Sequence, residues 1–220
     1  MICMTRTRRR NPKGEGERLR HDIISAATTL IGEHGQDALS LRAIARQAGV
    51  TAPAIYDHFD DLDDVRRAVV AHTFADFAAF LERRASDCSD PADRLDALCR
   101  AYVEFGLSRP QQYAAMFGPG AKPPTQNVPK SIDAMPGAEA FSLLHNGIRA
   151  CHDGGATQPL LQPLEAAMAV WVGLHGYVGL RVSAPDFPWP RDDALVDTLV
   201  KRLAGLTCSK ATELQDGTGK

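Results

Sequence analysis

The sequence predicts an all-α protein of about nine helices. Aromatic residues make up only 6% of the chain, while Ala, Leu and Val abound, a balance that favours helix over β-sandwich. Apolar residues also return at i, i+3 or i+4 along most of the chain, and no segment keeps the alternation of a half-buried strand. With 44% hydrophobic and 24% charged residues the composition is that of a globular protein, and 220 residues suffice for a small domain joined to a larger one.

Residues 1–16 are basic and aperiodic and read as a flexible arm. From Glu17, the positions Ile23, Ala27, Leu30 and Ile31 share one helical face, and Gly35 ends that helix in a left-handed cap. Ser40 offers its hydroxyl as N-cap of a short second helix that turns Leu41, Ile44, Ala45 and Ala48 inward and stops at Gly49. Thr51 can cap a third helix, which carries Pro53 in its first turn, where no N–H is needed, and runs to His58 or Phe59. Val65, Val69, Thr73, Phe77, Phe80 and Leu81 stripe a long fourth helix over 62–85. Pro91 opens a fifth that stops before Pro110, and a sixth spans 111–117. A Pro- and Gly-rich stretch over 118–135 follows, which reads either as a lid or as disordered chain. Three more helices are expected over 137–152, 163–183 and 191–206, with a frayed tail from 208.

Residues 40–59, SLRAIARQAGVTAPAIYDHF, carry the functional signal: two short helices joined by a glycine turn. Ala45 lets the helices approach, Gly49 makes the turn, and Val50 and Ile55 plug the small core beneath. The second helix then shows Thr51, Ala52, Ala54, Tyr56 and His58 outward, toward a major groove about 12 Å wide. Tyr56 has a hydroxyl for a phosphate oxygen, and the helix N-termini at Leu41 and Ala52 present amides of the same use. The charge agrees in sign. Residues 1–60 hold nine Lys/Arg against seven Asp/Glu, a balance of +2, and five of the nine lie in the first thirteen residues.

This segment resembles the DNA-binding domain of the tetracycline-repressor (TetR) family. The likeness rests on Ile24–Ala27, Gly35, Ser40, Ile44–Ala45, Ala48–Gly49–Val50 and Tyr56–His58–Phe59, within residues 18–70. It implies a homodimeric transcriptional regulator, usually a repressor, that reads a palindromic operator in double-stranded DNA and is released by a small, mainly apolar effector. It also implies DNA contacts from Arg42, Thr51, Pro53, Tyr56 and His58. Trp171, His175 and Gly176 are similar to a subgroup with a Trp–His–Gly signature in its ligand domain. The expected organisation is an arm (1–16), a helix-turn-helix domain (17–64), a ligand-binding and dimerisation domain (65–207) and a tail (208–220). One departure stands out: Leu62, among Asp60, Asp61, Asp63 and Asp64, takes the place of the family's usual lysine. Either these carboxylates cap the fourth helix, or they weaken DNA affinity locally and the arm, with Arg8, Arg9 and Arg10, compensates.

Helix 163–183 is apolar nearly all round, which implies burial on two sides. Leu164, Met168, Trp171, Val178 and Val182 form the side expected to line a cavity. Ala167, Val170, Leu174 and Tyr177, together with Leu195, Leu199 and Leu203 of the last helix, are expected to meet a second copy across a two-fold axis. Glycines at 173, 176 and 179 imply close approach of a neighbouring backbone. The expected effector contacts are Tyr102, Phe105, Tyr113, Met116, Phe117, Phe141, Trp171 and His175, with His175 the polar anchor.

Enzyme chemistry finds no footing. The seven histidines include no HExxH pair; GxSxG, the P-loop and GxGxxG are missing; and DDLDD lacks the glycine and terminal Glu of a calcium loop. No metal or cofactor is expected. Five cysteines, odd in number and never spaced as CxxC, exclude a zinc knuckle and a disulfide framework and fit a reducing cytoplasm. No run approaches 18 apolar residues, so no membrane span is expected.

Overall fold

The computed structural model describes residues 15–118, 131–157, 161–190 and 194–207. Among them are nine α-helices: α1 (Glu15–His34), α2 (Leu41–Ala48), α3 (Ala52–Tyr56), α4 (Leu62–Ala85), α5 (Pro91–Ser108), α6 (Pro110–Phe117), α7 (Ala138–Asp153), α8 (Pro163–Ser183) and α9 (Ala194–Leu203). Single 3₁₀ turns occupy Gln36–Ala38 and Ile132–Ala134, and one antiparallel bridge joins Thr157 to Leu206. The helical arrangement agrees with the sequence. Residues 1–14 of the expected arm, 119–130 of the stretch 118–135 and the tail lie outside the described residues, whereas Glu15 and Gly16, expected in the arm, open α1. No described helix is long and apolar enough to cross a membrane.

The chain divides into two compact units, one of residues 1–73 with 111–128, the other of 74–110 with 129–220. The boundary expected at 64/65 falls instead within α4, because Val65 and Val69 complete the core of the first unit. That core gathers Ile23, Ala27, Leu30 and Ile31 of α1, Ile44 and Ala45 of α2, Ile55 of α3 and Phe59. Ala115 of α6 joins it, and Gln36 Nε2 donates to the Ala114 carbonyl at 3.2 Å, so residues 111–118 pack with this unit rather than with the ligand domain where they were expected.

Local signals explain how the first unit is shaped. Ser40 Oγ accepts from the Ala43 amide at 3.2 Å, the cap its position implies. Gly49 ends α2 with φ 68° and ψ 28°, and the Val50 amide reaches back to the Ala45 carbonyl at 2.9 Å. Thr51 does not cap α3 with its hydroxyl. Pro53 removes the donor at the second helical position, and the next amide, Ala54, bonds the Thr51 carbonyl at 2.9 Å instead. Helix α3 also ends earlier than expected, at Tyr56, with the His58 and Phe59 amides folded onto the Ile55 carbonyl. Gly35 has the positive φ anticipated, 78°, but its ψ of 175° leads into a 3₁₀ turn rather than a left-handed cap.

The second unit packs the end of α4 with α5, α7, α8 and α9 around Phe77, Leu95, Phe105, Val170, Leu174, Val178 and Val196, all fully buried. Asp90 caps α5 by accepting from the Ala92 and Asp93 amides at 2.9 and 3.1 Å. Arg100 ties α5 to α9, bonding Asp96 on its own helix at 2.6 Å and Asp197 on α9.

A Cβ added at Gly49 would meet nothing within 4 Å, so a substitution there reports backbone strain alone. Gly49→Ala should lower stability by about 1–2 kcal/mol in urea denaturation, and Gly49→Asn should cost less, because Asn tolerates the left-handed region.

Candidate nucleic-acid and effector sites

The outward face of α2 and α3 forms the first site. Ser40, Arg42, Thr51, Pro53 and Tyr56 are exposed, and Leu41, Ala52, Ala54 and His58 are half-buried. Tyr56 leaves 60% of its surface to solvent, an unusual position for a large ring beside a buried Ile55. Of the residues expected to face DNA, Leu41 and Ala52 pack against the core instead of facing outward; Arg8, Arg9 and Arg10 lie outside the described residues. Sequence reasoning passed over Arg46, which is exposed one turn after Arg42 on the same side of α2. Its i+4 spacing from Arg42 was the available signal. Neither arginine pairs with a carboxylate among the described residues.

Two contacts bring the first turns of α1 to this face. A Cβ at Gly16 would lie 3.6 Å from His58 Cε1, and the Arg20 guanidinium sits 4.9 Å from the centre of the Phe59 ring. The acidic run beside Leu62 has structural work. Asp61 Oδ1 accepts from the Asp64 amide at 2.7 Å, and Asp64 Oδ2 accepts from the Asp60 amide at 3.3 Å, closing the start of α4. Asp63 and Asp64 also pair with Arg66 and Arg67 at 2.8 and 3.3 Å. The capping role is thus met, and two of the four charges are offset one turn along the helix.

The second site lies in the second unit. Ring contacts run from Phe105 to Phe77 (4.8 Å) and from Phe77 to Tyr102 (5.2 Å). The Tyr102 hydroxyl then stands 3.5 Å from His175 Nδ1, and His175 continues to Trp171 and Phe141 at 6.2 Å each step. Five of the eight expected effector residues, Tyr102, Phe105, Phe141, Trp171 and His175, therefore form one series. The other three, Tyr113, Met116 and Phe117, belong to the first unit, where Tyr113 and Phe117 pack ring to ring at 4.9 Å. Burial pushes the His175 imidazole below its ordinary value, favouring the neutral form. Among the described residues no three His, Cys, Asp or Glu side chains are placed to hold a metal ion.

The two sides of α8 are exchanged relative to expectation. Ala167, Val170, Leu174 and Tyr177, expected to meet a second copy, are buried within the unit, because α5, α7 and α9 all close on that side. Leu199 and Leu203 of α9 are half-buried against Gly173, whose added Cβ would stand 3.6 and 3.1 Å from them. Leu195 remains exposed. The open side of α8 instead carries Leu164, Met168, Val172 and Leu180, the last two more than half exposed, with open space at Gly176 and Gly179. Trp171, 37% exposed, stands at its edge, and Val178, expected on the cavity side, is fully buried. A signal was available: between Glu165 and Arg181 the helix holds no Asp, Glu, Lys or Arg at all.

Two short helices with a glycine turn and an exposed outer face, joined to a helical unit with an aromatic interior, define a helix-turn-helix transcriptional regulator. Comparison with known proteins agrees. Residues 23–69 match the tetR family of bacterial regulatory proteins, and residues 95–203 match the tetracyclin repressor-like C-terminal domain. The chain belongs to the TetR family. It is 29% identical over 194 residues to the uncharacterized HTH-type transcriptional regulator Rv0681 of Mycobacterium tuberculosis, covering 85% of this chain and 81% of that one. A solved structure of a protein of unknown function from Rhodococcus sp. RHA1 superposes with a TM-score of 0.70 at 25% identity, over 92% of this chain and 99% of that one. RolR, solved with its ligand resorcinol, shares the fold with a TM-score of 0.60 at 17% identity, over 87% and 90% of the two chains.

The depressed His175 value has a consequence for stability. The unfolded chain takes up a proton near pH 6.5, whereas the folded chain does so only lower, so this histidine's contribution is complete above about pH 6.5 and is lost as pH falls. The urea midpoint should drop between pH 7 and pH 5 by more in the native chain than in His175→Gln. Identical pH profiles for the two would contradict the assignment.

Proposed function

We propose that the chain is a homodimeric repressor that holds a palindromic operator on the outer face of α2 and α3 and releases it when a small, mainly apolar effector enters the second unit. The observation that carries the reading is the exposed Tyr56 on a five-residue helix anchored by a fully buried Ile55. Such a helix is held rigidly enough to enter a groove, and its aromatic hydroxyl is free of the core to meet a phosphate. Arg42 and Arg46 add backbone charge from α2, and the basic arm, which precedes the turn of α1 beside His58, adds more.

The uncharged, exposed side of α8, with Leu195 of α9, serves as the self-complementary seam. Two copies related by a two-fold axis bury it from water and set the two α3 helices about 34–36 Å apart, or a multiple of that. Helix α4 contributes residues to both units and is the lever, with its Leu62–Arg67 turn at the DNA-binding end. An effector that binds the two spacings with different affinity shifts the population, typically by about 1–3 kcal/mol. The solved RolR complex with resorcinol supports an aromatic effector for a protein of this fold.

Footprinting on the DNA upstream of its own coding sequence should reveal a protected inverted repeat; an unprotected region at low salt would contradict the reading. In titrations of that DNA, Tyr56→Phe should weaken binding by about 2- to 10-fold with an unchanged salt slope, since one neutral donor is lost. Deleting residues 1–13 should flatten the slope of log K against log salt. Val172→Glu, which places a charge on the open side of α8, should yield a folded monomer by sedimentation, with operator affinity lost. A dimer that survives this change would move the seam elsewhere.

A further inference from the structure

The side chains of α3 limit which bases its face can distinguish, on the reading that this face enters the major groove. Successive residues of an α-helix are turned by about 100°, so Pro53, two before Ile55, points about 200° away from it. Ile55 is fully buried and Pro53 is exposed, which puts the Pro53 ring at the crest of the helix. Tyr56 lies on one flank of that crest, with 60% of its surface open, and the half-buried Ala54 lies on the other. From Val50 to Tyr56 the chain reads VTAPAIY, and its only polar side-chain atoms are the hydroxyl oxygens of Thr51 and Tyr56. No side chain of this segment has the forked groups with which Arg, Asn or Gln read guanine or adenine.

Such a crest discriminates by apolar contact. Every base edge in the major groove carries hydrogen-bonding groups, and thymine alone adds a methyl group. A polar edge pressed against the Pro53 ring loses water and gains no hydrogen bond, because proline also lacks a backbone N–H. The thymine methyl, in the same place, removes apolar surface from water on both partners. We propose that Pro53 is a specificity-determining residue of the operator contact and reads the C5 methyl of thymine, with Ala54 and Thr51 extending the apolar surface around it. Arg42 and Arg46 of α2, both exposed, supply attraction that does not depend on sequence.

The DNA protected in footprinting is synthesised with single thymines replaced by deoxyuridine, which lacks the methyl and keeps every hydrogen-bonding group. In titrations with the native chain, at least one such position in each half-site should lose about three- to fourfold in affinity, the worth of one buried methyl. The loss should be equal at low and high salt, because no phosphate contact changes. Pro53→Ala keeps a good helix former and shortens the apolar contact, so deoxyuridine at the same positions should then cost less than about twofold. The deoxyuridine series uses the native chain, so it decides the matter even where the variant folds poorly. A tightly bound operator indifferent to deoxyuridine at every thymine would overturn the methyl reading and leave the DNA interface in place. A penalty as large in Pro53→Ala as in the native chain would overturn the role of Pro53. No binding to any duplex at low salt would overturn the interface and the methyl reading together.

Discussion

A helix of five residues has no stability of its own, since nucleation costs more than so few hydrogen bonds return, and α3 exists only because Ile55 is anchored. That side chain is wholly buried among Ile44 of α2, Ile23 of α1, Phe59 and Val65. Three helices and Phe59 thereby fix the direction of one short helix, and the left-handed Gly49 sets the angle at which it leaves α2. The exposed Tyr56 inherits its position from this burial. The candidate DNA-binding surface is therefore a product of the core beneath it, and its outward residues need little secondary structure of their own.

The acidic start of α4 shows how a departure from a family pattern is absorbed. Without the usual cation at Leu62, the turn is closed by carboxylates that accept the first free amides, and Arg66 and Arg67 offset two of the charges. On the proposed reading, phosphate attraction comes instead from the exposed arginines of α2 and from the basic residues that precede α1. Electrostatic attraction to DNA is additive over many cations and tolerates such a redistribution, whereas the shape of the turn does not.

In the second unit one helix serves two surfaces. Helix α8 buries Ala167, Val170, Leu174 and Tyr177 inward, turns Trp171 and His175 to the aromatic series, and leaves Val172 and Leu180 to solvent. Its charge-free middle would be costly on a free surface of this extent. On the proposed reading, effector site and seam share this one helix, so a ligand that alters the packing of Trp171 would also bear on the face that two subunits would share.

The sequence by itself determined the local features. The helices, the Ser40 cap, the glycine turn at 49 and the inward positions of α1 and α2 all follow from spacing and residue type, which act within a few residues along the chain. Hence the helix-turn-helix and the family were legible before any coordinates. Only the tertiary structure decided which side of α8 is core, that α6 packs with the first unit, and that Tyr102 meets His175. On a helix apolar all round the periodicity has no preferred side, so the choice falls to whichever neighbours close on it, here α5, α7 and α9. Likewise the Thr51 hydroxyl lost its capping role to a carbonyl, a competition between two acceptors for the Ala54 amide that spacing alone cannot rank.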